Sequence, residues 1–148
     1  MAKASFMTES SDLFLRIRAR HGHYCPMSTL GGRLGAAALQ ALGEPVGVLR
    51  GCYHMDTCAI DGIAVATGCL PEEGRLTVHP DGRHRLELRT AAGRGVCAEL
   101  TATALERAAV CRRLLDDGGD ADAVLAGLRT GPVGELMALT VLVEGGDA

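Results

Sequence analysis

The spacing of apolar residues changes near Arg75, and this change constrains the fold more than any other feature of the chain. Before Arg75 apolar residues recur at helical spacing, whereas beyond it they alternate with polar residues. The alternating runs are 76–78, 86–88 and 96–100, with turn sequences at 80–82 and 93–95 between them. This part of the chain is therefore predicted to form a three-stranded antiparallel meander.

Capping signals predict the first two helices. The first runs over residues 12–20, and the serines at positions 10 and 11, which precede it, are candidates for its N-cap. The next begins at or just after Cys25, because Pro26 suits the first turn of a helix, and it ends near Gly43. Only a short loop is left between the two helices.

The remaining elements follow from the same kinds of pattern. In chain order they are a short strand at 46–49, a helix over 60–67 that closes near Gly68, a helix from a capping box of Thr103 and Glu106 to about Leu115, a helix opening at Asp120, and a tail at 136–143 that fits helix or strand. Asp56 and Cys58 fall in the first turn of the helix that closes near Gly68.

Two glycines interrupt the second predicted helix. Gly31 and Gly35 lie four residues apart on one helix face, where they lower helix propensity. This spacing predicts that another backbone approaches closely there. The approaching segment is either a helix of the same core or a dimer partner.

Composition narrows the class of protein. With 148 residues, 47% of them hydrophobic, the chain has the size and content of a single domain over 1–148. The net charge is −3 at pH 7 and the arginines are scattered without a run. Both observations argue against nucleic-acid binding.

The distribution of apolar residues predicts no membrane association. No apolar stretch approaches the roughly 20 residues of a membrane span, and residues 1–11 lack the pattern of a secretory signal. We therefore expect a cytoplasmic protein. In that compartment the six cysteines remain free thiols or metal ligands rather than forming disulfides.

Residues 21–26 (HGHYCP) concentrate donors that transition metals prefer. His21, His23 and Cys25 lie within five residues, and the intervening glycine allows the backbone to bend around a shared centre. Imidazole and thiolate together favour zinc, with iron, nickel and copper as alternatives. The motif predicts a transition-metal site.

Helix N-termini strengthen this prediction. Cys25 is expected at the N-cap of the second helix and Cys58 in the first turn of the third, and both positions favour the thiolate. The predicted metal ligands are therefore His21, His23, Cys25 and Cys58.

The other cysteines are less clearly connected to this site. Cys69 lies eleven residues after Cys58, and an intact helix would separate residues so spaced by roughly 16 Å. It therefore belongs to another wall of the pocket or acts across a dimer interface, unless the helix breaks early. Cys52 and His54 are either additional ligands or packed side chains. Cys97 and Cys111 are assigned to the core.

Three ordered motifs resemble FmdE, a family named after formylmethanofuran dehydrogenase. They are residues 21–26 before a glycine-containing helix, 58–63 (CAIDGI) and 67–69 (TGC). The resemblance spans roughly residues 13–100. It implies an α+β fold with an antiparallel sheet packed against several helices, a homodimer and a metal site. Cys58, Asp61 and Cys69 are its other characteristic positions.

The chain departs from the family pattern at three places. Residues 70–75 (LPEEGR) stand where the family usually has Gly-Lys-Gly-Asn, so a lysine that could meet an anionic ligand is absent. Met27 replaces a glycine and places a thioether beside the expected site, and we assign it to cofactor binding together with Cys69. We expect no C-terminal zinc ribbon, which some relatives carry.

Three functional hypotheses follow. The first is a metal-binding accessory or redox protein, linked to molybdenum- or tungsten-dependent formate or formylmethanofuran metabolism, with such an enzyme as partner. The second is a metalloenzyme with an open coordination position, in which Cys25 and Cys58 are catalytic and Asp61 or Asp56 transfers protons. The third is a haem-binding sensor or carrier, because a Cys-Pro pair beside histidines can bind haem iron.

Overall fold

In the part of the chain that the structure describes, five strands form one sheet, and helix α2 packs against its inner face. The computed structural model describes residues 2–43 and 47–142, with side chains from residue 12 onward. The helices are α1 (Ala2–His21), α2 (Pro26–Leu42), α3 (Ala59–Thr67), α4 (Ala102–Asp116), α5 (Asp122–Thr130) and α6 (Val133–Leu136), with a 3₁₀ turn at Pro71–Glu73. The strands are β1 (Arg50–Tyr53), β2 (Leu76–Val78), β3 (Arg85–Arg89), β4 (Gly95–Leu100) and β5 (Met137–Leu142). The α+β fold is confirmed.

The sheet order is β2-β1-β3-β4-β5, so the predicted meander is confirmed for the antiparallel pair β3–β4 and wrong for β2, which is not a neighbour of β3. Strands β3, β4 and β5 pair antiparallel, but β1 lies between β2 and β3 and pairs with β2 in parallel. Parallel neighbours need a crossover connection, and here α3 lies in that connection. The turn sequence at 80–82 therefore carries the chain from β2 across the end of β1 to β3. It does not form a hairpin between β2 and β3.

Several element boundaries differ from prediction. Helix α1 begins at Ala2, so the serines at positions 10 and 11 lie inside it. Helix α4 is capped by Thr101 rather than Thr103, because the Thr101 hydroxyl accepts a hydrogen bond from the Ala104 amide at 3.2 Å. In the predicted strand at 46–49, Val46 lies outside the described residues and the strand itself starts at Arg50.

The last two elements resolve the ambiguous C-terminal pattern. Helix α5 begins at Asp122, and the Asp120 carboxylate accepts a hydrogen bond from the Asp122 amide at 2.9 Å. The tail then forms the short helix α6 and the edge strand β5. No helix in the described ranges is long and apolar enough to cross a membrane.

Helices α2 and α3 pack backbone to backbone. A Cβ atom on Gly31 would overlap the carbonyl of Ala59, and one on Gly62 would overlap the carbonyl of Ser28. A Cβ on Gly35 would lie 2.8 Å from that of Ala66. The predicted close approach is confirmed, and the approaching segment is α3 of the same chain rather than a dimer partner.

This packing places two helix N-termini side by side. Cys25 is the N-cap of α2, as the sequence predicts, and Cys58 is the N-cap of α3, next to the first turn in which it was expected. Helix α1 ends at His21, four residues before Cys25. The arrangement of α2 and α3 therefore determines where the predicted donors meet.

Gly62→Ala should destabilise the protein, because its methyl group would overlap the α2 backbone. Overpacking of this kind typically costs about 1–3 kcal/mol, and more where backbone must move. Gly127→Ala in α5 is the matched control, since a Cβ there meets nothing within 4 Å. The control should be neutral or stabilising by about 0.5–1 kcal/mol. Urea denaturation measures both, and equal stability of the two variants would contradict this packing.

Candidate metal centre

His21, Cys25 and Cys58 form a cluster of three donors at the meeting point of three helices. Their ligand atoms all lie within 4.8 Å of one another. The Cys25 sulfur is 3.5 Å from His21 Nε2. A tetrahedral zinc ion with ordinary bond lengths would separate a sulfur and a nitrogen ligand by about 3.5 Å. The donor cluster therefore has the dimensions and donor types of a transition-metal site.

The loop between α1 and α2 brings two of the donors together. Gly22 has a left-handed φ of 101°, which a residue with a side chain rarely adopts. Its amide donates to the Arg18 carbonyl at 2.7 Å and so closes the last turn of α1. The predicted role of this glycine in bending the backbone is confirmed.

Cys25 caps α2 through its sulfur. The Ser28 amide donates to Cys25 Sγ at 3.3 Å, and the cysteine is fully buried. The sulfur therefore occupies the place of a helix-capping acceptor at the start of α2. The N-cap prediction for Cys25 is therefore confirmed in detail, although Ser28 was not singled out from the sequence.

Asp61 lies behind His21 rather than beside the sulfurs. Its Oδ2 atom is 2.8 Å from His21 Nδ1. This contact fixes the imidazole so that Nε2 faces the donor cluster, which is the usual arrangement of carboxylate, histidine and metal. Asp61 follows Cys58 by three residues on α3, so both project from the same side of the helix. In this geometry Asp61 orients a ligand.

Arg20 connects Asp61 to Glu72. Its Nε atom donates to Asp61 Oδ1 at 3.0 Å, and its two terminal nitrogens donate to the Glu72 carboxylate at 3.0 and 2.8 Å. These hydrogen bonds raise the pKa of Arg20, chiefly through Glu72, and hold the pKa of Glu72 at about 2. A continuous polar relay therefore leads to the donor cluster, through Glu72, Arg20, Asp61 and His21.

Glu72 belongs to the segment in which this chain departs from the FmdE pattern. The segment at 70–75 forms the 3₁₀ turn, and that turn presents Glu72 to Arg20. An acidic residue bound to an arginine therefore occupies the region where the family usually has a lysine. Sequence spacing could not reveal this contact, since Arg20 and Glu72 are 52 residues apart.

The fourth predicted ligand, His23, lies outside the donor cluster. Its side chain is exposed, and its ring centroid is 4.6 Å from that of His21. Met27 is partly buried and packs against the main hydrophobic core. Cys69 is buried in that same core, beyond the intact helix α3. Cys69 and Cys58 are therefore not in one donor group, as the length of the helix predicted.

The neighbours of Cys58 act on the pKa of its thiol in opposite directions. Burial raises the pKa of the Cys58 thiol, the adjacent Cys25 raises it further, and Arg112 lowers it. Its side chain makes no capping hydrogen bond to α3. The raised pKa runs against the thiolate that the helix N-terminus predicts at Cys58, so a metal ion that binds there would displace the thiol proton. Arg112, on α4, is a neighbour that the sequence did not reveal.

The remaining candidate residues lie elsewhere. Cys111 is buried, as predicted, whereas Cys97 is only partly buried on the outer face of the sheet. Cys52 is also partly buried on that face. His54 is 2.9 Å from an Asp81 oxygen and 3.3 Å from a Glu87 oxygen. Within the described ranges, neither Cys52 nor His54 joins the donor cluster.

Fold and site together define an α+β protein with a histidine–cysteine site suited to a metal ion. The family model described as "FmdE, Molybdenum formylmethanofuran dehydrogenase operon" matches residues 20–123. This match covers all three donors and most of the chain. The chain belongs to the FmdE family.

Two further comparisons show more limited likenesses. The crystal structure of a tungsten formylmethanofuran dehydrogenase FmdE-like protein from Syntrophus aciditrophicus has a TM-score of 0.66 and 22% identity, and the match covers 90% of this chain and 71% of that one. It shows a shared fold. A probable S-adenosyl-L-methionine-binding protein from Archaeoglobus fulgidus is 32% identical over 93 residues, which cover 58% of this chain. The match spans only 25% of that relative.

Asp61→Asn should weaken metal binding about 10- to 100-fold, the usual effect of removing a carboxylate behind a ligating histidine. Competition against a chromogenic zinc chelator measures this affinity. Asp56→Asn is the matched control, because Asp56 is exposed and outside the donor cluster. Equal zinc affinity in both variants would mean that Asp61 does not orient His21 as a ligand.

Proposed function

We propose that this protein binds one transition-metal ion, zinc in the first place, through His21, Cys25 and Cys58, and leaves a fourth position for an exchangeable ligand. The observation that carries this proposal is the three-donor cluster, whose ligand atoms lie within 4.8 Å of one another. Iron and nickel accept the same donors and are the alternatives.

The number of donors favours an open site. Structural zinc sites are closed by four protein ligands, whereas catalytic sites commonly have three and keep one position for water or substrate. Two cysteines and one histidine form one of the known catalytic sets. In the described part of the chain the cluster contains three such donors and no fourth. A bound ion would supply a Lewis-acid position for a water molecule or substrate.

The surrounding side chains support reactivity at this position. Asp61 fixes the orientation of His21, and Arg112 adds a positive charge near Cys58. His23 is exposed beside His21 and is within reach of solvent and incoming ligands. We assign proton transfer at the open position to His23, because the carboxylate of Asp61 is already held by His21 and Arg20.

The metabolic setting that we propose is molybdenum- or tungsten-dependent formate or formylmethanofuran chemistry. The description of the family, which refers to a molybdenum formylmethanofuran dehydrogenase operon, supports this setting. The protein would act beside such an enzyme as a homodimeric accessory or redox component. The open donor set favours a role that includes ligand exchange at the metal over simple metal storage.

Cobalt substitution tests the proposed site. Protein loaded with Co²⁺ should show d–d absorption of a four-coordinate site and a thiolate-to-cobalt charge-transfer band, because two sulfurs and one imidazole nitrogen bind the ion. Adding azide should shift the d–d bands, since the fourth position is exchangeable. A Soret band in the protein as purified would instead support the haem hypothesis.

Cysteine variants provide the controls for this experiment. Cys58→Ser should weaken the charge-transfer band and lower bound cobalt several-fold, while Cys97→Ser, on the outer face of the sheet, should leave both unchanged. Spectra that azide does not alter would establish a closed site and exclude the open position. Equal cobalt content in both variants would reject Cys58 as a ligand.

A further inference from the structure

Three arginines lie side by side on the outer face of the sheet. Arg50 on β1 is the direct cross-strand partner of Arg89 on β3. On the other side of β1, the Gly51 amide donates a hydrogen bond to the Arg75 carbonyl at 2.8 Å. Gly51 is in register with Leu76, so Arg75, the residue before β2, lies beside Arg50. Arg75, Arg50 and Arg89 thus form an arginine row across three neighbouring strands.

The charges of this row are poorly matched. Like charges directly opposite each other on neighbouring strands are destabilising. Arg75 is 3.8 Å from a Glu73 oxygen, and Arg50 donates a long hydrogen bond of 3.4 Å to a backbone carbonyl. Among the described residues, neither Arg50 nor Arg89 has a carboxylate within 4.0 Å. An anion above the row would relieve the repulsion.

Other charged side chains on the same face are paired with opposite charges, unlike Arg50 and Arg89 in the arginine row. Arg85 lies 3.6 Å from carboxylate oxygens of both Asp81 and Glu87. The same two carboxylates contact the ring nitrogens of His54. The Glu87 carboxylate is therefore already engaged by Arg85 and His54.

The arginine row borders a cleft of about 600 Å³. This volume lies in the usual range for small-molecule sites. The cleft is also lined by Cys52, Gly74, Thr77 and Thr90, and by Glu87, whose negative charge is balanced by its contact with Arg85. It shares no lining residue with the donor cluster.

We propose that this cleft binds a small molecule that carries a diphosphate group. A guanidinium group offers a planar fork of donors that matches phosphate oxygens, and it stays charged at every physiological pH. Neighbouring strands lie about 4.8 Å apart, so a row across three strands spans roughly 10 Å and can contact two linked phosphates at once. The Thr90 hydroxyl accepts a hydrogen bond from the Arg94 amide and so keeps its own proton as a further donor. This assignment is independent of the metal centre.

Isothermal titration of the full chain with pyrophosphate tests the proposal. Pyrophosphate should bind at least about 10-fold more tightly than inorganic phosphate or sulfate, because one linked pair of phosphates engages more than one guanidinium group. Binding should weaken as salt is added. Similar weak binding of all three anions would mean that the cleft attracts anions without selecting a diphosphate, which would overturn the proposal. The absence of binding would also overturn it.

Two variants make the test specific. Arg50→Gln should weaken pyrophosphate binding about 10-fold or more, whereas Arg113→Gln, an exposed arginine on α4 outside the cleft, should not. Thermal denaturation gives an independent readout. Without ligand, Arg50→Gln should melt at the same or a higher temperature, because one of two arginines on facing positions of β1 and β3 is removed. The same variant should lose the stabilisation by pyrophosphate that the unsubstituted protein shows. Equal stabilisation of both variants by pyrophosphate would contradict the site.

Discussion

The close contact between α2 and α3 is the constraint on which the rest of the structure depends. Gly31 and Gly62 allow the two backbones to approach to a distance that any Cβ would prevent. This approach brings Cys25 and Cys58, the N-caps of the two helices, to within 4.8 Å of each other. The glycines therefore determine where the donor cluster forms although neither contributes an atom to it.

A second constraint is the polar relay from Glu72 through Arg20 and Asp61 to His21. The relay ties the end of α1 to α3 and to the 3₁₀ turn that follows it. Because Asp61 holds His21 Nδ1, the other ring nitrogen remains directed at the sulfurs. This chain therefore stabilises the orientation of His21 through an arginine–carboxylate network.

Local features of the site could be predicted from sequence, whereas its long-range contacts could not. Pro26 and the glycine spacing on α2 were sufficient to predict the cap at Cys25 and the close helix approach, since both depend on nearby residues. The parallel pairing of β2 with β1 was missed because strand order depends on contacts between distant segments. For the same reason, Arg112 could not be connected with Cys58 from spacing alone.

X-ray absorption at the zinc edge of the zinc-loaded protein tests the central claim most directly, because it counts the donor atoms around the ion. The three-donor site predicts two sulfur atoms at about 2.3 Å and two nitrogen or oxygen atoms at about 2.0–2.1 Å, one from His21 and one from the exchangeable ligand. A shell of four sulfurs, or one without sulfur, would contradict the assignment of Cys25 and Cys58 as joint ligands.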